Sequence, residues 1–131
     1  MKLADFGATI EIKDTLNKII GNDDNTKVHN SFIGTLRFMS PEVIAGQKYG
    51  RKVDVWSLGC SIVEMFTCKP PWHDIDFHYL CIKIMSNQMP EYALPADISN
   101  LAREFIKLTL CLEYDKRHSS TQLLQHEFIL N

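Results

Sequence analysis

Arg51-Lys52-Val53-Asp54-Val55-Trp56-Ser57-Leu58-Gly59-Cys60-Ser61-Ile62-Val63-Glu64-Met65-Phe66-Thr67 is the stretch that decides the fold of this chain. Wound at about 100° per residue, Val53, Val55, Trp56, Leu58, Cys60, Ile62, Val63, Met65 and Phe66 cover roughly two-thirds of a helix circumference. Asp54, Ser57, Ser61 and Glu64 share the narrow stripe that remains. So wide an apolar arc predicts a buried helix over 51–67 in the middle of a domain, with neighbours on several sides. Pro70-Pro71 marks its end, because neither residue can continue a helix.

Working outward, two amphipathic helices are predicted beyond it. One spans about 75–86, capped by Asp74, with Phe77, Leu80, Cys81, Ile84 and Met85 on one face. The next spans about 99–112, with Leu101, Ala102, Phe105, Leu108 and Leu112 at helical spacing. After Tyr114-Asp115-Lys116-Arg117, a short helix begins near Ser119 or Ser120 and buries Leu123 and Leu124. On the amino-terminal side, Ser40-Pro41-Glu42 reads as a helix start. Ser40 caps, Pro41 fits the first helical position, and Glu42 favours the positive end of the helix dipole. Gly46 stops that helix after little more than one turn. Residues 2–4 and 8–12 read as two short strands around Asp5-Phe6-Gly7, with Ile10 and Ile12 alternating against Thr9 and Glu11. Residues 13–33 hold no sustained period beyond a short helical turn around Leu16, Ile19 and Ile20, and read as a long loop. The expected fold class is mainly α, with a short β-strand pair at the amino terminus.

The chain has 131 residues, enough for one compact domain with a real core. Its 14 basic and 16 acidic residues give a net charge of −2, so no strongly basic face points to nucleic acid. The cluster Lys48, Arg51, Lys52 reads as a solvated helix start. No apolar run approaches the roughly 18 residues of a membrane span, and Asp5 interrupts any signal-peptide core. Cys60, Cys68, Cys81 and Cys111 are irregularly spaced without a Cys-x-x-Cys pair, which fits reduced thiols in a cytoplasmic protein. Cys68, His73, His78 and Cys81 fall within a short window, but the tight turn of a zinc knuckle is missing, so zinc is not expected.

Four motifs stand in order: Lys2-Leu3-Ala4-Asp5-Phe6-Gly7-Ala8, Met39-Ser40-Pro41-Glu42-Val43-Ile44, Tyr49-Gly50-Arg51-Lys52-Val53-Asp54-Val55-Trp56-Ser57 and Lys69-Pro70-Pro71-Trp72. In that order and spacing the chain resembles the large lobe of a eukaryotic Ser/Thr protein kinase of the MAP kinase kinase kinase (STE-type) group, from its Asp-Phe-Gly motif onward. The resemblance covers essentially all of residues 1–131, as a partial kinase domain. It implies an activation segment at 5–42, a central buried helix at 51–67 and a C-terminal helical subdomain at 75–131.

The resemblance also implies roles. Asp5 matches the carboxylate that holds Mg²⁺ bridging the ATP phosphates, a hard oxygen ligand for a hard cation. Phe6 and Gly7 match the switch whose packing separates active from inactive kinases. Ser31 stands where related kinases tend to carry an activating phosphosite, with an ordinary loop serine as the equal alternative; Thr26 and Thr35 are weaker candidates. Thr35 matches the threonine that helps seat the substrate hydroxyl. Glu42 and Arg117 match a structural ion pair, and Asp54 a carboxylate that accepts backbone hydrogen bonds from the catalytic loop. Leu36-Arg37-Phe38 replaces the usual Pro-Tyr-Trp, which changes the surface that reads the residue after the phosphoacceptor. His118 and Glu127 replace prolines. ATP and Mg²⁺ are the implied cofactors of the intact family, and a protein, by group a MAP kinase kinase, the implied substrate; no nucleic-acid or membrane partner is expected.

The Gly-rich phosphate loop, the strand lysine that positions ATP and the His-Arg-Asp catalytic loop do not occur in these 131 residues. The expectation is that this polypeptide alone neither binds MgATP nor transfers phosphate. Three readings stay open: a piece of an active kinase whose Met1 is an internal methionine, a truncated non-catalytic module that docks partners, or a gene remnant.

Overall fold

The computed structural model describes residues 36–131. Among the described residues there are six helices and no strand: α1 (Pro41–Ile44), α2 (Lys52–Thr67), α3 (Phe77–Met85), α4 (Asn100–Thr109), α5 (Ser120–Leu123) and α6 (Glu127–Leu130). The strand pair expected at 2–4 and 8–12 lies outside the described residues.

α2 occupies the centre. Val55, Trp56, Cys60, Ile62 and Val63 pack with Phe105, Ile106 and Leu110 of the α4 region and with Leu123 of α5. Gly59 sets how closely α2 and α4 approach: a Cβ there would meet the Thr109 hydroxyl and come within 2.9 Å of the Leu110 side chain. The predicted arc is only partly covered, since Leu58, Phe66 and above all Met65, 71% exposed, face outward. The helix ends at Thr67, with Cys68 in the left-handed conformation (φ 56) and its N–H on the Glu64 carbonyl. The stop thus precedes Pro70 by a full cap. A second apolar cluster joins Leu36, Trp72, and Leu80 and Ile84 of α3.

Several predicted boundaries move. Asp76, not Asp74, caps α3 by accepting from the Tyr79 N–H at 3.1 Å, because the chain turns through 71–75 before it can wind. Ser99 caps α4, which ends at Thr109, short of residue 112. Ser119 and Gln122 form a reciprocal capping box at α5. Leu123 is buried, but Leu124 is 59% exposed, since a one-turn helix offers the core a single position.

Candidate functional site

The motif residues described by the structure meet at a buried junction. Ser40 is extended (φ −73, ψ 152), Pro41 opens α1, and Glu42 follows at the first turn. Ser40 has the backbone of a cap, but its buried hydroxyl makes no cap hydrogen bond and has no partner among the described residues. Far along the chain, Lys116 and Arg117 both donate their N–H groups to the Glu113 carbonyl, making the tight turn that aims Arg117 back at α1. The guanidinium grips the carboxylate with two prongs: Nη1 donates to Oε1 at 2.6 Å and Nη2 to Oε2 at 3.0 Å. Its Nε donates to the Cys111 carbonyl at 2.9 Å, and Nη1 also to the Lys52 carbonyl at 3.1 Å. The group stacks on Trp56, 4.9 Å from the ring centroid, with Tyr114 at 5.8 Å. One side chain therefore ties together α1, the start of α2 and the turn before α5.

The electrostatics follow from that burial. Desolvation by itself would raise the Glu42 carboxyl. The hydrogen bonds from Arg117 and from the backbone, with the Arg117 charge, outweigh it and hold the group below its ordinary 4.5. Both side chains of the pair are 5% exposed or less. Such a pair gives little net stability over a well-packed apolar replacement, but loss of one partner strands a buried charge. Nearby, burial pushes the Cys60 thiol up to about 12 against the opposing pull of Arg117, so it stays a neutral core group.

A second junction lies beside the first. Leu36 is fully buried in the cluster with Trp72, Leu80 and Ile84. Arg37 turns onto the loop between α2 and α3: Nε donates to the Trp72 carbonyl at 3.3 Å, and Nη2 to the carbonyls of His73 at 3.3 Å and Ile75 at 3.0 Å. Trp72, with φ 63, sits in a conformation that bulky residues rarely adopt. The Ser57 hydroxyl donates to the Phe38 carbonyl at 2.8 Å and fixes the same segment on α2. Of the three departures at 36–38, Leu36 is thus core and Arg37 a strap across to a neighbouring turn.

The remaining predicted site residues either stand apart from these junctions or lie outside the described residues. Asp54 is exposed on the outward face of α2, and among the described residues nothing donates to its carboxylate. Asp5, Phe6, Gly7, Thr26, Ser31 and Thr35 lie outside the described residues. Cys68 and His73 are exposed, and among the described residues no three His, Cys, Asp or Glu side chains gather to hold a metal ion. No helix among the described residues is long and apolar enough to cross a membrane.

A family model described as "Protein kinase domain" matches residues 1–129. The chain belongs to the protein kinase family. Human mitogen-activated protein kinase kinase kinase 3 is 41% identical over 128 residues, which is 98% of this chain and 19% of that relative. Human mitogen-activated protein kinase kinase kinase 4 is 36% identical over 135 residues, covering 98% of this chain and 8% of its own length. The serine/threonine-protein kinase pakA of Talaromyces marneffei is 35% identical over 129 residues, 98% of this chain and 18% of the relative. This kinase-family chain thus resembles Ser/Thr kinases of the MAP kinase kinase kinase, STE-type group. It spans no more than about a fifth of the length of these relatives.

Two structural contacts of the kinase chain escape sequence reasoning. Lys52 is not a solvated helix start: its ammonium donates to the carbonyls of Tyr114 at 3.1 Å and Asp115 at 2.8 Å. Arg37 straps the turn after Pro71 through its backbone carbonyls. Both act on backbone carbonyls distant in sequence, which leave no residue-type signal. The available hint was a basic residue beside an apolar run, and that alone is weak.

Proposed function

We propose that this chain is the substrate-side half of a Ser/Thr protein kinase catalytic domain that acts in a MAP-kinase-type cascade on a protein substrate, a MAP kinase kinase by its group. In the intact enzyme Asp5 holds Mg²⁺ and with it ATP, Phe6 and Gly7 switch the site, Thr35 seats the substrate hydroxyl, and phosphorylation of Ser31 orders the segment. The chain by itself transfers no phosphate, because it carries neither the ATP-positioning lysine nor the catalytic aspartate.

The observation that carries the reading is the Glu42–Arg117 junction. It ties α1 to the turn before α5, which supports a platform for a protein substrate at the end of the proposed 5–42 activation segment. A phosphotransfer assay of the purified chain with MgATP and a recombinant MAP kinase kinase, beside its Asp5→Ala variant, tests the claim. Equal, background-level incorporation is expected; turnover that Asp5→Ala abolishes overturns the inactivity. Sequencing the transcript upstream of Met1 tests membership of a longer enzyme, where an in-frame His-Arg-Asp motif and strand lysine are expected.

One observation favours a second reading, a non-catalytic docking module: Tyr79 and Ile82 lie exposed on α3 at 61% and 58%. Retention of a MAP kinase kinase by this chain, lost on Tyr79→Ser with Ile82→Ser, supports the module. No difference between the two proteins removes it.

A further inference from the structure

His126 carries an imidazole that the kinase reading leaves without a role. It caps α6: its Nδ1 accepts from the Phe128 N–H at 3.1 Å. The side chain is 13% exposed, and its Nε2 lies 3.9 Å from Oε2 of Glu104 on α4. The ring stands edge-on to Phe105, with centroids 5.3 Å apart at 72°. Phe105 in turn packs on Phe128, with centroids 5.0 Å apart. The cap and the aromatic contacts thus hold α6 on α4 through one imidazole. An Nδ1 that accepts a hydrogen bond bears no proton, so this arrangement requires the neutral ring protonated on Nε2.

We propose that His126 is a proton-operated latch on the C-terminal helix: neutral, it caps and docks α6; protonated, it releases it. A proton taken from solvent onto Nδ1 sets two N–H donors face to face where a hydrogen bond was. It also places a positive charge at the positive end of the α6 peptide dipoles. The surrounding charges do not restore the cap. From α4, Glu104 faces the ring but is 64% exposed, so water screens its pull. Arg103 of α4 is turned to the Pro95 and Ala96 carbonyls, and Lys107 is exposed. α5 carries no titratable side chain, and α6 carries only Glu127, exposed in its first turn. Neither carboxylate offers the Phe128 N–H the acceptor it loses. Histidine is the side chain that ordinarily changes charge between pH 5 and 8, which sets the range of the test.

The test is amide hydrogen exchange of the full chain from pH 8 to 5.5, corrected for the intrinsic pH dependence of exchange. Wild type, His126→Asn and His126→Ala are compared at Ile129, Leu130 and Asn131, whose N–H groups bond within this last turn. Asn caps a helix without titrating here, and loss of a cap is worth about a fivefold change in local opening. Protection in wild type is expected to fall about fivefold as pH drops, to stay flat in His126→Asn, and to be low throughout in His126→Ala. A flat wild-type profile overturns the latch, and so does a His126→Asn profile that falls with the wild type.

Discussion

Arg117 and Arg37 do the same kind of job in different surroundings. Each reaches across the chain and collects backbone carbonyls, two for Arg117 and three for Arg37. Arg117 is completely buried and faces a carboxylate, while Arg37 is half-buried and, among the described residues, bonds carbonyls alone. In the dry site a charge without its counter-charge is untenable, so the pair stands or falls together. In the wet site water can replace any one bond, so the strap is worth its hydrogen bonds and little more. Burial, and not the number of bonds, decides which junction the fold depends on.

The largest effect is expected from breaking the buried pair. Glu42→Gln or Arg117→Met alone should cost about 3–5 kcal/mol in chemical denaturation, since each strands its partner. That is a large share of the roughly 5–15 kcal/mol available to a domain. The same junction sets the acid limb. Glu42 titrates below its ordinary 4.5 in the folded chain, so its contribution is complete above the unfolded-state value. It is lost as pH falls through the lower, folded one. Glu42→Gln should remove that part of the acid dependence, read as a flatter midpoint as pH falls below the ordinary 4.5.

Next in size is a change in packing away from both junctions. Gly59→Ala forces a methyl group against Thr109 and Leu110, which should cost about 1–3 kcal/mol and exceed the helix-propensity gain of about 1. Adding Thr109→Ala should recover part of the loss by making room, as thermal melts of the single and double variants can show.

Arg37→Ala should cost less, about 1–2 kcal/mol for its hydrogen bonds. It should raise amide exchange at residues 72–75 before any other described part of the chain. Arg37→Lys should restore part of that protection. A loss from Arg37→Ala as large as that from Arg117→Met would erase the contrast between the two junctions. Smallest of all, Lys116→Ala breaks an exposed pair with Glu113 and should leave the denaturation midpoint unchanged.

What was legible in the sequence follows the same division. Local patterns wrote α2, α3 and α4 nearly in place, because apolar periodicity and breakers act within a few residues. The pairing of Glu42 with Arg117 could be named only through the family resemblance, since nothing local links positions 75 apart. The Asp76 cap was missed because the turn at 71–75 is set by Arg37 and by the Trp72 N–H on the Glu91 carbonyl, both long-range. Leu124 misled because its neighbour fills the one inward position of α5. Exposure of Leu58, Met65 and Phe66 on α2 was hidden because composition gives the arc, and only packing says which part is covered.

The most direct test of the account is a double-mutant cycle on Glu42→Gln and Arg117→Met, followed by chemical denaturation of the full chain. The account predicts that the double variant is more stable than the sum of the two single losses implies, by at least about 2 kcal/mol, because removing both partners leaves no stranded charge. Losses that add to within about 0.5 kcal/mol would contradict it, and with it the claim that this junction holds α1 to the turn before α5.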